Sequence, residues 1–457
     1  MVICAEQRDV ICAPATMTGG AISVIKISGT GCWDILNKIF SKDISAAKPY
    51  TVHYGRIMTP SVHAGETEIV DEVLVTLFKA PHSYTGEDYA EISCHGSSYI
   101  VKRIMELLIS SGCRQAQPGE FTQRAYLNGK MDLSQAEAVA DLIAASNKAT
   151  HRIAMSQLRG NFSSELSRLR EKLLKLTSLL ELELDFSDHE DLEFADRTEL
   201  LTLAQDIDRR LVSLAKSFET GQALKEGIPV CIVGKTNVGK STLLNCLLKD
   251  ERAIVSDVHG TTRDTIEDCI NISGITFRII DTAGIRQTDD TVEKIGIDRT
   301  YQAISRARIV LWVIDKMPEE AELRDIHQRT KDKQLIIVWN KADIFAPPSQ
   351  TSWEYIPVSA KENENIEALE HAIRHSACIP EIHEEDIIIT SSRHYEALTK
   401  AHENISLVIQ GLQSALSGDL LAEDLRLVLS DLSDITGGQI TPQETLNNIF
   451  KHFCVGK

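Results

Sequence analysis

The sequence has no CxxC pair and no Cys/His cluster at zinc-ligand spacing, which argues against a structural zinc site or a dithiol redox motif. Its ten cysteines (Cys4, Cys12, Cys32, Cys94, Cys113, Cys231, Cys246, Cys269, Cys378 and Cys454) are scattered, several inside runs such as PVCIVG and LLNCLL. Most of them read as buried, reduced thiols. An excess of positive charge is also missing. Forty-eight Lys and Arg stand against 66 Asp and Glu, for a net charge of −18 and a pI near 5.3. A whole-molecule field for gripping nucleic acid is thereby excluded, and any such contact is a local patch or comes through a basic partner. There is no apolar run long enough to span a membrane. The opening MVICAEQRDVICAP carries no basic leader, so a cytoplasmic location without membrane attachment is expected. Core-forming material is plentiful: 43% of residues are hydrophobic and 25% charged, and 457 residues suit two to three domains of roughly 150 residues.

The strongest positive signal is KEGIPVCIVGKTNVGKSTLLNCLL, which contains G-x-x-x-x-G-K-S from Gly234 to Ser241. An apolar run precedes it and a helical pattern follows, the strand–loop–helix context of a phosphate loop. Gly234 and Gly239 let backbone N–H groups close on phosphates, Lys240 brings an ammonium to the terminal phosphates, and Ser241 offers a hydroxyl to Mg²⁺. Further parts follow in order, each at the end of a predicted strand: Asp281-Thr282-Ala283-Gly284, the apolar IVLWVID, Asn340-Lys341-Ala342-Asp343, and Ser359-Ala360-Lys361. Asp281 suits the Mg²⁺ shell, and the Gly284 N–H the γ-phosphate. The Asp343 carboxylate can accept from guanine N1–H and its 2-amino group, a donor pair adenine lacks, so the pattern selects GTP over ATP. Alternating strands and helices predict a doubly wound sheet with the ligand at the strand carboxyl ends.

Two details bear on hydrolysis. Ile285 follows Gly284, where Ras-like proteins use Gln to orient the attacking water; a downstream carboxylate, Asp289, Asp290 or Glu293, is the natural substitute. No arginine finger is legible, so extra positive charge comes from a monovalent cation or a partner. Asn237 presents a neutral oxygen where such a cation fits, and stabilising the loop is its other possible role. Gly260-Thr261-Thr262-Arg263-Asp264 reads as a mobile switch with a threonine hydroxyl for Mg²⁺.

The flanks are of two kinds. AISVIKISG, TVHYGRIMT, DEVLVTLFKA and DYAEISCHG read as strands, with a helix over IVKRIMELLISSG, which makes the first 120 residues an α+β domain. From Asp132 the chain turns helical. Ser134-Gln-Ala-Glu137 has a capping-box pattern, and Leu166, Leu169, Leu173, Leu176 and Leu180 form a stripe expected in a core. Amphipathic stretches after Ile379 are too short for an independent core, so they are expected to pack on the helices before residue 220. The expected fold is multidomain α/β: an N-terminal α+β domain (1-120), a central α-helical domain in two parts (121-220 and 380-457), and an inserted Ras-like P-loop GTPase domain (221-379).

SYTGEDYAEISCHG, PGEFTQRAYLNGKMDLSQAEAVADLI, GKTNVGKSTLLN, GTTRDT, DTAGIR, VEKIGI, NKAD and the terminal FCVGK together resemble the MnmE (TrmE) family of bacterial tRNA-modification GTPases, along essentially the whole chain. The resemblance implies a cytoplasmic homodimer formed through the N-terminal domain. With an MnmG-type flavoprotein, which carries the FAD, it implies addition of an aminomethyl or carboxymethylaminomethyl group at carbon 5 of the wobble uridine of certain tRNAs. The one-carbon unit is implied to come from tetrahydrofolate, in its 5,10-methylene or 5-formyl form. Family folate contacts match Lys26, Glu87, Lys130 and Lys457, although Lys26 stands where the family usually has Arg, and Thr16-Met17-Thr18-Gly19 departs from a Pro-Pro-Gly-Arg-like loop. GTP contacts carry over to Asn237, Val238, Gly239, Lys240, Ser241 and Thr242, and to the switch Ser256, Asp257, Val258, His259, Gly260, Thr261 and Thr262. They extend to Asp281 through Gly284, Asn340, Lys341, Asp343, Ser359, Ala360 and Lys361. Mg²⁺ ligands match Ser241 and Thr262. A K⁺ site that stimulates hydrolysis matches Asn237, Ser256, Val258 and Thr261, and the water-positioning carboxylate matches Glu293.

The terminal FCVGK invites a prenylation reading, but Gly456 and Lys457 and the absence of a polybasic stretch argue against it. The terminal helix is expected to return Cys454 to the folate region, as a nucleophile toward uridine carbon 6, a one-carbon carrier, or a structural thiol. Two other classes remain open. A ribosome-assembly GTPase of the Era type would want a KH-like domain after the GTPase domain, which the helical C-terminus disfavours. A pure switch would gate the flavoprotein without handling folate.

Overall fold

The computed structural model of the chain describes residues 9–59, 68–185, 197–249, 268–280, 301–380, 382–383, 385–414 and 416–437, with 446, 449–451, 453 and 456. Two compact units are present, residues 1–140 with 433–457 and residues 141–432.

The first unit is built on β1 (Ile11–Pro14), β2 (Ile22–Ser28), α1 (Cys32–Asn37), β3 (Val52–Met58), β4 (Ile69–Phe78), β5 (Tyr89–His95), α2 (Ser98–Ser110), β6 (Arg114–Gln115) and α3 (Glu120–Leu127). The sheet order is β3-β4-β5-β2-β1-β6. In β4 the alternation is explicit: Val73, Val75 and Leu77 are buried while Glu72 and Leu74 are exposed, the period of a strand with one covered face. The cover is α2, whose Val101, Ile104, Met105 and Leu108 join Ala90 and Ile92 of β5 in one core. Sequence reading anticipated the four long strands and missed β1. That strand is four residues long, ends in Pro14, and lies between β2 and β6.

The helix α4 (Leu133–Ala144) begins one cap earlier than the sequence pattern indicated. Asp132, not Ser134, is the cap. Its carboxylate accepts from Gln135 N at 2.9 Å, and Gln135 Oε1 accepts from Asp132 N at 3.0 Å. Ser134 instead donates to Asp132 Oδ1 at 2.7 Å. The carboxylate satisfies the first-turn donors, so the pattern beginning at Ser134 falls inside the helix.

Near the C-terminus, Leu446, Phe450 and Phe453 pack on Leu133 and Ala136 of α4. Gly456 has φ +90°, and a Cβ there would lie 2.3 Å from the Pro14 carbonyl oxygen. The tail therefore closes against the end of β1, and only glycine fits at that contact. Cys454 and Lys457 lie outside the described residues.

The second unit opens with α5 (Lys148–Leu158), α6 (Asn161–Asp185) and α7 (Arg197–Glu226). The expected leucine stripe of α6, Leu166 to Leu180, is buried. The nucleotide-fold segment then runs β7 (Ile228–Val233), α8 (Lys240–Lys249), β8 (Asp268–Ile272), β9 (Ile275–Ile280), β10 (Ile309–Ile314), α9 (Glu320–Arg329), β11 (Gln334–Trp339), β12 (Ile356–Pro357) and α10 (Ile366–Ser376). Its sheet order is β12-β11-β10-β7-β9-β8, parallel except for β8 against β9. All six residues of β10 are buried, as a central parallel strand covered on both faces requires. From β9 on one side of β7 the chain passes to β10 on the other, so the order reverses at β7 and opens a crevice at its carboxyl end.

The chain then returns to helix with α11 (Ser392–Gln413) and α12 (Gly418–Thr436). Along α7 and α11, Phe218 stacks on Tyr395 with ring centroids 4.6 Å apart, and His402 Nδ1 lies 2.5 Å from Asp208 Oδ1. Just before α11, the Ile389 N–H donates to Ser217 of α7 at 3.1 Å. Gly221 of α7 touches the same stretch so closely that a Cβ would sit 2.0 Å from Ile389 O. Helices before and after the nucleotide fold thus share one core, and the fold between them is an insertion. Among the described cysteines, six are buried, Cys269 is half-buried and Cys378 is exposed.

Candidate functional site

The loop after β7 is shaped by two glycines that cannot carry side chains. At Gly234 (φ +153°) a Cβ would lie 2.3 Å from Val313 O, and at Gly239 (φ +94°) it would lie 2.2 Å from Asn340 Nδ2. The loop can therefore hug β10 and the Asn340 turn at the start of α8, the close backbone packing that a phosphate loop requires. Lys240, the first residue of α8, turns its Nζ back onto the carbonyls of Gly234 (2.7 Å) and Lys235 (2.6 Å). Burial pushes its ammonium below the ordinary lysine value. Phosphate oxygens are the natural counter-charge for it. Ser241 follows on the first turn, half-buried, and Thr242 is exposed.

Asn340 ties the parts together. It is 2% exposed, donates to Val238 O at 2.8 Å, and accepts from Ala360 N at 3.1 Å. One side chain thus joins the phosphate loop, the Asn340–Asp343 turn and the Ser359–Lys361 loop. Lys341, held at φ +61°, spans to Asn237 O (2.6 Å) and to Asp315 Oδ2 (2.7 Å). Asp343 is exposed, Ser359 is buried, and Lys361 is exposed. Asn237 is exposed at φ +62°. Asp315, at the end of β10, was not anticipated. Its only sequence signal is that it closes the apolar run IVLWVID.

Several expected residues fall outside the described residues: Ser256, Asp257, Val258, His259, Gly260, Thr261 and Thr262, then Asp281, Thr282, Ala283 and Gly284, and Glu293. The rest of the expected nucleotide contacts are brought to one end of one sheet. Of the expected cation ligands, the hydroxyl of Ser241 and the amide of Asn237 are oxygen donors of the kind that Mg²⁺ and K⁺ take.

A second constellation lies in the first unit, around the turn Ser83–Asp88. Glu87 Oε2 accepts from Ser28 Oγ (2.8 Å), which also lies 2.7 Å from Thr85 Oγ1. Arg124, 4% exposed, points its Nη1 at Glu87 Oε2 (3.2 Å) and Oε1 (3.4 Å). Lys26 Nζ lies 5.6 Å from the Tyr84 ring centroid and donates to Gly456 O at 3.2 Å. Lys130 donates to Pro81 O at 3.0 Å. The three expected folate residues that are described thus border one turn, with the C-terminal tail against them. Sequence reasoning missed Arg124. It lies in the quoted PGEFTQRAYLNGK run, but nothing local marks a helical arginine as buried.

Comparison with known proteins decides the family. A model of the MnmE helical domain matches residues 133–454, and one of the GTP-binding protein TrmE N-terminus matches residues 10–130. The chain belongs to the MnmE (TrmE) family of tRNA modification GTPases. The tRNA modification GTPase MnmE of Phocaeicola vulgatus is 52% identical, over 99% of this chain and 99% of that protein. The MnmE of Bacteroides thetaiotaomicron is 53% identical over 99% of this chain and 100% of its own, and that of Porphyromonas gingivalis 47% over 99% and 98%. Together the family models cover both units, and the phosphate loop lies within the helical-domain match. Among the described residues, no helix is long and apolar enough to cross a membrane.

Proposed function

We propose that this chain, a GTPase of tRNA modification, works in the cytoplasm with an MnmG-type flavoprotein to install an aminomethyl or carboxymethylaminomethyl group at carbon 5 of wobble uridine. The one-carbon unit comes from tetrahydrofolate, and the flavin belongs to the partner. The observation that carries this reading is the full-length relationship to MnmE proteins, joined to a phosphate loop and a guanine-specific turn that share Asn340.

In this reading the division of labour follows four segments: 1-120 for folate and homodimer formation, 121-220 with 380-457 for the helical scaffold, and 221-379 for GTP. Lys240 neutralises the terminal phosphates and Asp343 selects guanine. Ser241 and Thr262 would hold Mg²⁺, which would supply positive charge to the phosphates. Asn237 with Ser256, Val258 and Thr261 holds K⁺, whose charge supplies what an arginine finger supplies elsewhere. Glu293 orients the attacking water in place of the Gln that Ile285 replaces. Lys26, Glu87, Lys130 and Lys457 hold folate, and Cys454 takes part in the one-carbon step.

A reconstituted reaction tests the proposal. It contains this chain, the flavoprotein, GTP, substrate tRNA, glycine or ammonium as the nitrogen source, and methylene-tetrahydrofolate carrying ¹³C in the one-carbon unit. The label is expected in the wobble uridine, and exchanging K⁺ for Na⁺ is expected to slow GTP hydrolysis. Label-free nucleosides would overturn the folate route, and equal rates in the two salts would overturn the K⁺ role.

A further inference from the structure

The ion cluster around Arg124 has a charge count that singles out Glu87. Three carboxylates, Asp9, Glu87 and Glu120, meet two guanidinium groups, Arg114 and Arg124. Arg124 Nη2 donates to Asp9 Oδ1 (2.7 Å) and Glu120 Oε1 (3.0 Å). Its Nη1 donates to Asp9 O at 2.9 Å and reaches Glu87. Asp9 and Glu120 each have a second cation, because Arg114 donates to Asp9 Oδ2 at 2.6 Å and to Glu120 Oε1 at 2.6 Å. Among the described residues, Glu87 is bonded to Arg124 alone of these two. One negative charge of the cluster is left over, and the geometry leaves it on Glu87, in the turn that Lys26 and Lys130 border.

The two oxygens of Glu87 are also unequal. Oε2 takes the Ser28 hydroxyl at 2.8 Å and the shorter Arg124 contact at 3.2 Å, whereas Oε1 has the longer contact at 3.4 Å. We infer that Arg124 is a positioning residue: clamped by Asp9 and Glu120, it fixes Oε2 of Glu87 so that Oε1 faces the N–H donors of a bound folate. The inference rests on the folate reading of Glu87 and adds to it a residue that makes no folate contact itself. A planar, fully buried fork does this where an ammonium on a flexible stem does not.

The test is titration of the full-length protein with 5-formyl-tetrahydrofolate by calorimetry, for wild type, Arg124→Lys, Glu87→Gln and the double variant. Unfolding midpoints and GTP affinity on the same samples report folding. Arg124→Lys is expected to weaken folate binding about ten-fold or more. In the Glu87→Gln background the same change is expected to cost less than about two-fold, because the effect passes through Glu87. Equal losses in both backgrounds would assign Arg124 a structural role only and overturn the inference. Wild-type-like binding by folded Arg124→Lys would overturn it as well. No binding by wild type would overturn the folate reading, and this inference with it. If Arg124→Lys does not fold, Glu120→Gln loosens the clamp while leaving both Arg124 and Glu87 in place. It is expected to weaken folate binding about three-fold, and unchanged binding would overturn the inference.

Discussion

The nucleotide crevice and the Glu87 turn are built by different physics. In the crevice the shape comes from backbone: two glycines allow close approach, and one buried amide, Asn340, ties three loops by hydrogen bonds to main-chain atoms. At the Glu87 turn the shape comes from side-chain charge, with a buried guanidinium held among three carboxylates. Backbone sites have compact sequence signatures, because the conformation is set by a few contiguous residues. A charge-built site draws on residues far apart, such as Asp9 and Arg124, 115 positions apart, and leaves no local pattern.

The comparison breaks most visibly at a glycine. Gly239→Ala puts a Cβ 2.2 Å from Asn340 Nδ2 on a backbone at φ +94°. GTP affinity is expected to fall about a hundred-fold or more, with folate affinity unmoved, as read by fluorescent-nucleotide and folate titrations. Retained GTP binding would mean that the loop tolerates more than its packing allows. The Arg124→Lys experiment is the counterpart on the charge-built side, with about a ten-fold loss expected for folate.

Acid separates the two sites by another route. Burial pushes the Glu120 carboxyl up. The Arg114 hydrogen bond, the Gln117 N–H and Arg124 outweigh that and hold it below its ordinary 4.5. Asp9 is likewise raised by burial but held below 3.8 by Arg114 and Arg124. A carboxyl depressed on folding stabilises fully above its unfolded value and loses that contribution as pH falls through the folded one. Arg114→Gln is therefore expected to lower the denaturant midpoint of the first unit at pH 7, with the gap to wild type narrowing at about pH 3.5. A gap of equal size at both pH values would contradict the assignment. The smallest expected effect is at Asp315→Asn, which weakens the anchor of Lys341 and should lower GTP affinity about three- to five-fold, measured by the same nucleotide titration.

What the sequence revealed follows the same division. The alternation of β4, the continuous apolar run of β10 and the leucine stripe of α6 were legible because burial repeats with the element's own period. The phosphate loop and the guanine turn were legible because each is local. The short strand β1 was not, since four residues ending in Pro14 carry no period. The cap of α4 was misplaced by two residues because Asp132 and Ser134 both offer an acceptor, and only geometry decides between them. Phe450, Phe453 and Gly456 return to the first unit, whereas the return expected from family resemblance was that of Cys454, which lies outside the described residues. Arg124 and Asp315 were invisible: one is a buried cation on an ordinary helix, the other the residue just after a hydrophobic strand.

In the proposed function these two sites serve one reaction on tRNA. Nucleoside mass spectrometry of tRNA from cells lacking this chain tests it most directly, with the wild-type chain, Gly239→Ala or Arg124→Lys supplied back. The aminomethyl-type wobble uridines are expected to vanish on deletion, return with the wild type, and fall short with either variant. Unchanged wobble nucleosides in the deletion strain would contradict it.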